Sequence, residues 1–175
     1  VSVYVGYSDY KGSLNDYIEH AFTLSASLDG TYKRLFFGFQ AMYSPRTAIV
    51  ERTHGDEIWE VGQTGLFSQY EFFAGPHILK SERTSLTAMG KIGWLNYRPA
   101  AALFDENKKD KLKTGIGTAF LYGFGAQFQQ IIYMSEKKSD VPGVGIRLKY
   151  GLAFPVFTSD AGINGKVHTF SLGIV

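Results

Sequence analysis

Residues 114–128, TGIGTAFLYGFGAQF, decide the predicted fold class of this chain. At the two-residue period of a β-strand, the bulky residues share one face, while glycine, alanine and glutamine fill most of the other. A soluble sheet buries its large apolar face and shows polar residues to water. The inverted pattern here predicts a strand whose bulky side meets lipid and whose small, polar side faces a narrow barrel interior. The bulky face comprises Thr114, Ile116, Thr118, Phe120, Tyr122, Phe124, Ala126 and Phe128, and the opposite face comprises Gly115, Gly117, Ala119, Leu121, Gly123, Gly125, Gln127 and Gln129.

Residues 144–156 repeat the inverted pattern. Leu148, Tyr150 and Leu152 belong to an apolar face, and Arg147 and Lys149 alternate with them. Two cations between aliphatic and aromatic neighbours fit poorly into a dry core. We therefore expect the three apolar side chains to contact lipid and the two cations to point into the barrel.

Six further segments show strand-like alternation, least clearly in residues 59–73. No apolar run reaches the roughly 18 residues that a membrane-spanning helix needs. The sequence thus predicts an all-β fold, an eight-stranded antiparallel up-and-down transmembrane β-barrel, with residues 1–175 forming a single domain. The expected strands are residues 1–10, 21–28, 32–43, 59–73, 85–97, 114–128, 144–156 and 167–175.

The composition agrees with this class and excludes several others. Aromatic residues make up 15 % of the 175 residues, and there are 20 glycines. The absence of cysteine removes disulfides, thiolate metal sites and cysteine nucleophiles. A net charge of +2 is too small to indicate a nucleic-acid partner. The chain opens directly in the strand-like VSVYVGY, so we expect a mature chain from which a signal peptide has been removed.

An even number of strands places both termini on one side of the barrel, and the connections alternate between its two ends. Residues 29–31, Asp-Gly-Thr, form the expected tight hairpin turn. Together with residues 74–84 and 129–143, they fall on the side of the termini, which is periplasmic in bacterial barrels. The expected outer loops are residues 11–19, 45–58, 98–113 and 157–166.

This pattern resembles that of the small eight-stranded outer-membrane barrels of the OmpA-like and opacity-protein type. The resemblance covers most of the chain and includes the last strand, where Phe170, Leu172 and Ile174 alternate as in such proteins. Those proteins usually end in an aromatic residue, whereas this chain ends in Val175. The resemblance implies a location in the bacterial outer membrane, contact with membrane lipid and lipopolysaccharide, and a monomer.

Polar residues on the inward faces form the first candidate site. We expect Arg34 and Glu71 to lie near the periplasmic end on adjacent strands and to form an ion pair. Isolated burial of a charge costs several kcal/mol or more, so the other charges need partners or water. A packed, salt-bridged interior without a passage is the favoured interpretation, and a small anion-preferring pore is the alternative. The predicted lumen cluster is Arg34, Gln40, Glu71, Lys91, Gln127, Arg147 and Lys149.

A basic cluster in an expected outer loop forms the second candidate site. It lies among the acids Asp105, Glu106 and Asp110. A solvated loop of mixed charge is the favoured interpretation, and contact with lipopolysaccharide phosphates or an anionic host polymer is the alternative. The cluster comprises Lys108, Lys109, Lys111 and Lys113.

Enzyme chemistry finds no support in the spacing of histidine, serine and acidic residues. His168 and Ser171 belong to opposite faces of one strand because their spacing is odd. His20, His54 and His77 fall at a strand end, in a loop and in a turn. Residues 53–57, THGDE, offer one imidazole and two carboxylates, a weak metal signal without a second fixed histidine. We expect no catalytic residues, no metal and no cofactor.

Aromatic residues near strand ends could stack sugars or bases, but an interfacial girdle is the favoured interpretation. They are Tyr7, Tyr43, Trp59, Tyr70, Phe72, Trp94 and Tyr97.

Three function classes remain open at this point. The first is a structural or surface-interaction barrel of the outer membrane, adhesin-like, that contacts a host or envelope macromolecule through its loops. The second is a small transport or channel barrel. The third is a soluble lipocalin-like barrel that binds an apolar ligand, which requires apolar residues inside and polar residues outside.

Overall fold

The fold is a closed β-barrel with one additional hairpin. The computed structural model describes residues 1–16, 19–47, 52–54, 57–59, 62, 64–99, 118–133, 143–157 and 164–175. No helix among them is long and apolar enough to cross a bilayer. The elements are β1 (Ser2–Lys11), a short 3-10 helix (Gly12–Asp16), β2 (Ala21–Tyr32), β3 (Leu35–Thr47), β4 (Arg52–His54), β5 (Glu57–Trp59), β6 (Thr64–Lys80), β7 (Thr84–Pro99), β8 (Thr118–Tyr133), β9 (Val144–Phe157) and β10 (Lys166–Ile174).

Eight of these strands form the barrel in the order β1-β10-β9-β8-β7-β6-β3-β2. Every pairing is antiparallel, and the pairing of β1 with β10 closes the ring. The strands β4 and β5 form a separate two-stranded hairpin between β3 and β6. The chain is therefore an eight-stranded antiparallel up-and-down barrel, as the sequence predicted.

The inverted alternation of β8 and β9 is confirmed by the direction of their side chains. Phe124 of β8 is 55 % exposed on the outer wall, whereas Leu121 is 1 % exposed inside. In β9, Leu148 is 51 % exposed on the outer wall, while Arg147 is 3 % exposed in the interior. The bulky apolar face of the wall thus points outward.

Both termini lie at one end of the barrel, which we call the terminal end, and the opposite end is the loop end. The predicted turn at residues 29–31 is wrong. Strand β2 continues to Tyr32, and the hairpin turns at Lys33 and Arg34, with Lys33 in the left-handed region at a φ of 55°. The Asp-Gly pair lies within the ladder because alternation places Asp29 on the inner face, where it finds a cation.

Strand β6 differs most from its prediction. It begins at Thr64 rather than residue 59, because residues 57–59 belong to the hairpin with β4 and Gly62 turns with a φ of 86°. It also continues beyond residue 73 to Lys80, through a Gly-Pro pair that resembles a turn in sequence. Pro76 pairs with Leu35 at the very start of β3, and a register irregularity follows at His77 and Leu79, positions at which a strand tolerates proline. Strand β8 likewise extends to Tyr133.

Glycines on the inner face provide space for large side chains from other strands. A Cβ atom added to Gly173 would collide with the ring of Tyr4, and one added to Gly151 would collide with the end of Lys91. The small face predicted from sequence therefore does not outline an empty lumen. It accommodates the aromatic and cationic side chains that fill the interior.

We predict that Gly173→Ala destabilises the folded barrel by about 1–3 kcal/mol, as overpacking of a filled interior does. The added methyl group displaces the Tyr4 ring, whose hydroxyl contacts Ser27 and Arg147. Urea unfolding in detergent micelles measures the effect. Gly90→Ala is the matched control, since its Cβ would face the outer wall with the nearest atom 4.0 Å away. Equal effects of the two substitutions would contradict the packed interior.

Candidate functional site

Among the described residues, two buried ion pairs lie in the barrel interior at different heights. The first joins Arg147 of β9 to Asp29 of β2, with 2.7 Å between Nη1 and Oδ2 and side chains 3 % and 9 % exposed. Arg147 also donates to Tyr4 Oη at 2.8 Å and, through Nη2, to Gln129 Oε1 at 2.8 Å. Ser27 donates to the same Asp29 oxygen at 2.8 Å. The pair is thus enclosed in a network that satisfies both charges, as a buried pair requires.

The second pair lies near the middle of the barrel. Lys91 Nζ of β7 is 2.9 Å from Glu71 Oε2 of β6, with side chains 11 % and 2 % exposed. Gln69 donates to the other carboxylate oxygen of Glu71 at 2.8 Å. Lys91 extends across the space that Gly125 and Gly151 leave open. The two glycines of neighbouring strands therefore determine where this cation lies.

Lys149 occupies the space between the two pairs. Its Nζ donates to Gln40 Oε1 at 3.2 Å and lies 4.4 Å and 4.6 Å from the ring centres of Tyr4 and Phe73. Gln40 in turn donates to Ser25 at 2.8 Å. Two aromatic faces and an amide thus stabilise this cation.

Gln127 differs from its neighbours in the interior. Its side chain is 1 % exposed, and neither its amide nitrogen nor its oxygen has a hydrogen-bond partner within the described part of the chain.

A cavity of about 280 Å³ opens at the terminal end and is lined in part by Asp29, His77, Gln129 and Arg147. From mid-height to this end, the interior thus combines polar groups with a small buried apolar cluster of Phe36, Phe73 and Met89.

An apolar cluster, which we call the loop-end plug, fills the other half of the interior. The 3-10 helix after β1 inserts Leu14, which is 0 % exposed, into the barrel mouth. The backbone N–H of Leu14 donates to the carbonyl oxygen of Asn164 at 3.2 Å, and the Ser13 hydroxyl donates to the same oxygen at 2.8 Å. The plug consists of Tyr10, Leu14, Phe67, Leu95, Ala119, Leu121, Ala153, Phe157 and Val167.

The interior brings together six of the seven residues of the predicted lumen cluster. The exception is Arg34, which is exposed in the β2–β3 turn. The expected Arg34–Glu71 pair does not form, because β6 extends to Lys80 and thereby places Glu71 opposite Gln40, well inside the strand. Glu71 pairs with Lys91 instead. The six inward residues are Gln40, Glu71, Lys91, Gln127, Arg147 and Lys149.

The sequence interpretation missed Asp29 and Leu14. The predicted hairpin turn includes Asp29, although its spacing of two from Ser27 gives it the inward register. Leu14 lay in an expected loop, and no periodic pattern marks a single residue that folds back into the barrel.

The other candidate residues lie apart from the interior. His168 faces outward and its Nδ1 lies 2.9 Å from Tyr150 Oη, while Ser171 is buried on the inner face. His54 and Glu57 pair through their backbones in the β4–β5 hairpin, but their side chains and residues 55–56 lie outside the described part. No group of three His, Asp or Glu residues among the described ones could hold a metal ion. Lys108, Lys109, Lys111 and Lys113 also lie outside the described residues.

The aromatic residues expected in a girdle face outward wherever their side chains are described. The hydroxyl oxygens of Tyr43 and Tyr70 are 3.2 Å apart and share a hydrogen bond. The rings of Phe72 and Trp94 pack edge to face, with 6.4 Å between their centroids. Phe72 lies opposite Phe39 within the strand rather than at its end. The side chains of Trp59 and Tyr97 are not among those described.

Taken together, the geometry defines a closed eight-stranded barrel with an apolar outer wall and an interior filled by ion pairs and an apolar plug. No protein-family model and no curated protein matches the sequence. Among solved structures, the chain is similar to Ail, the attachment invasion locus protein of Yersinia pestis. In a complex of Ail with the heparin analogue sucrose octasulfate, the identity is 16 % and the TM-score 0.39, over 99 % of this chain and 94 % of Ail. In a second Ail structure, the identity is 17 % and the TM-score 0.35, again over 99 % of this chain and 94 % of Ail. Because the sequence identity and the TM-score are this low, the fold assignment depends on the strand pairing of the chain itself.

We predict that Lys91→Met destabilises the barrel by about 3–5 kcal/mol, because it leaves the buried Glu71 carboxylate without its counter-charge. The double substitution Lys91→Met with Glu71→Gln removes both charges and recovers much of that loss. Urea unfolding of the two single variants and the double variant gives the coupling free energy. The control is Lys11→Met, because Lys11 forms an ion pair with Asp9 at the surface and its side chain is 58 % exposed. We expect this substitution to lower the free energy of unfolding by less than about 1 kcal/mol. Additive single effects would show that the buried pair is not coupled.

Proposed function

We propose that this chain is an integral barrel of the bacterial outer membrane that carries a surface-interaction role at its loop end. The observation that carries the proposal is the belt of apolar side chains around the outer wall of the barrel. Phe22 of β2 is 78 % exposed, Ile92 of β7 is 56 % exposed and Phe170 of β10 is 53 % exposed. A soluble protein rarely leaves a continuous apolar belt uncovered, whereas a membrane barrel requires one.

The interior weighs against the two alternative functions. A lipocalin-like protein needs an apolar cavity, but here Glu71, Gln127 and Arg147 are buried inside. A pore needs a continuous polar passage, but the loop-end plug closes the described interior above the ion pairs. Within the described interior, a cavity of about 280 Å³ remains at the terminal end. We therefore favour a structural scaffold for the loops over transport or the binding of an apolar ligand inside the barrel.

The interaction role is assigned to the connections at the loop end. They are residues 12–20, 48–63, 100–117 and 158–165, of which the second carries the β4–β5 hairpin. The third contains Lys108, Lys109, Lys111 and Lys113 among three acids. A dense cation cluster favours anionic partners, such as lipopolysaccharide phosphates or an acidic host polymer.

We predict that Leu148→Arg destabilises the barrel by up to about 2–4 kcal/mol in a bilayer, because it places a charge on the lipid face between the terminal end and the middle of β9. Val156→Arg is the matched control, since it is 48 % exposed on the same strand but close to the loop end, where the cost falls to about 0–1 kcal/mol. Urea unfolding from neutral phosphatidylcholine vesicles measures both. Equal losses for the two variants, or failure of the native chain to insert into vesicles, would exclude a membrane wall.

We predict that replacing residues 105–113 with a neutral linker of equal length weakens binding to cells or to lipopolysaccharide. The binding of the native chain should also fall as salt is raised, because exposed charges are screened beyond roughly 10 Å at 0.1 M. Replacing residues 158–163 with a linker of equal length is the control for loop disruption. Unchanged adhesion by a folded 105–113 variant would refute the basic-loop assignment.

A further inference from the structure

Three parts of the barrel wall enclose the cavity at the terminal end. They are the end of β2 with the start of β3, the turn between β6 and β7, and the neighbouring strands β8 and β9. The volume of about 280 Å³ lies just below the roughly 300–1,000 Å³ of pockets that hold drug-sized ligands. A ligand that fits inside this cavity is therefore a small solute.

The turn between β6 and β7 is held in place by hydrogen bonds. The backbone N–H of Ser81 donates to the carbonyl oxygen of Thr84 at 2.8 Å, and the Ser81 hydroxyl accepts from the backbone N–H of Thr84 at 3.0 Å. The backbone N–H of Ile131 in β8 donates to the carbonyl oxygen of Arg83 at 2.7 Å. The wall of the cavity is thus formed in advance, which lowers the entropic cost of binding a ligand.

The inner end of the cavity offers two hydrogen-bond donors. The Nε and Nη2 atoms of Arg147 both donate to Gln129 Oε1, at 3.1 Å and 2.8 Å. Nη1 donates to Asp29, Ser2 and Tyr4. A guanidinium has five N–H groups, so one N–H of Nη2 has no acceptor among the described residues. Because the Gln129 oxygen faces Arg147, its amide nitrogen is a donor that likewise has no partner in the described part of the chain.

An acceptor lies beside the same guanidinium. Asp29 Oδ2 accepts from Arg147 Nη1 at 2.7 Å and from the Ser27 hydroxyl at 2.8 Å. The second oxygen of this carboxylate, Oδ1, has no hydrogen-bond partner among the described residues. Asp29, Gln129 and Arg147 all line the cavity. Donors for a carboxylate and an acceptor for an ammonium group therefore occur next to each other.

The mouth of the cavity carries an excess of positive charge. Lys80 and Arg83 line it together with a single acid, Glu82. All three residues are exposed, and none forms an ion pair within the described part of the chain. The buried ion pair behind them is neutral overall, and both ring nitrogens of His77 already contact threonine hydroxyls. The mouth thus favours a ligand with a second negative group.

We propose that the terminal-end cavity binds a small acidic α-amino acid. Its α-carboxylate accepts from Arg147 Nη2 and Gln129 Nε2, and its ammonium group donates to Asp29 Oδ1. Its side-chain carboxylate lies between Lys80 and Arg83 at the mouth. The site is at the opposite end of the barrel from the loops, so it does not depend on their proposed interaction role. In the proposed membrane orientation the cavity opens to the periplasm.

NMR titration of the ¹⁵N-labelled full chain, refolded in neutral detergent micelles, tests the site with L-glutamate as the probe. We expect shifts of the backbone amides of Thr84 and Ile131 and of the Gln129 side-chain amide. Glutarate lacks the ammonium group and γ-aminobutyrate lacks the α-carboxylate. Each should bind roughly tenfold more weakly, because each loses hydrogen bonds to a charged group. Equal binding of L-glutamate and glutarate would overturn the proposal.

The variant Gln129→Glu keeps an oxygen toward Arg147 but replaces the donor nitrogen with a charged oxygen. It should weaken the binding of L-glutamate by roughly tenfold or more, while the Arg147 contact keeps the barrel folded. Unchanged binding by this folded variant would show that the inner end does not hold the α-carboxylate, which would overturn the site.

The double variant Lys80→Gln with Arg83→Gln tests the mouth. The native chain should prefer L-glutamate to L-glutamine, and this variant should bind the two equally. The matched control is Lys33→Gln with Arg34→Gln, which removes two exposed cations from the neighbouring turn, outside the lining of the cavity. It should retain the preference for L-glutamate. Loss of the preference in both double variants would indicate a net-charge effect and overturn the assignment of the mouth.

Discussion

Closure of the backbone ladder between β1 and β10 is the constraint on which the rest of this structure depends. In hydrocarbon, each unpaired N–H or C=O group costs several kcal/mol, so an open sheet with two free edges could not form there. The pairing from Val3 with Ile174 to Lys11 with Lys166 removes both edges. Once the ring is closed, every strand has one side facing the surroundings and one facing the interior, and the alternation of side chains follows.

The interior then has to be filled by side chains that fit one another across the ring. A barrel of eight strands is just wide enough for side chains to fill its interior, and the glycines on the inner face leave room for large side chains from other strands. Gly173 accommodates Tyr4, whose hydroxyl accepts from Arg147, and Gly151 accommodates Lys91, which pairs with Glu71. A register shift of one residue would separate each of these pairs, so the polar network specifies the register as well as filling the space.

Strand alternation was readable from sequence wherever the two faces differ strongly in size and polarity. Residues 118–128 and 144–156 illustrate this, since bulky apolar residues alternate there with glycine or charge. The interpretation was wrong where a local turn signal competes with the ladder, as at the Asp-Gly pair of residues 29–30 and the Gly-Pro pair of residues 75–76. In both cases the tertiary pairing decided the outcome: Asp29 found Arg147, and Pro76 lies at the end of its partner strand. The wrong end of β6 also explains why Glu71 was assigned the wrong partner, and the inserted Leu14 follows no periodicity that a sequence could show.

The pairing of β1 with β10 also has a consequence for the order in which the chain folds. Seven of the eight barrel pairings join strands that follow one another along the ring in chain order, and only β1 with β10 joins the two ends of the sequence. Hairpins can add one after another at a modest entropic penalty, whereas the last pairing must close a loop that contains nearly the whole chain. We therefore expect the pairing of β1 with β10 to be the rate-limiting event, since these strands are neighbours in the barrel but lie at opposite ends of the sequence. Residues near either terminus should control the rate of folding even where they contribute little to the stability of the finished barrel.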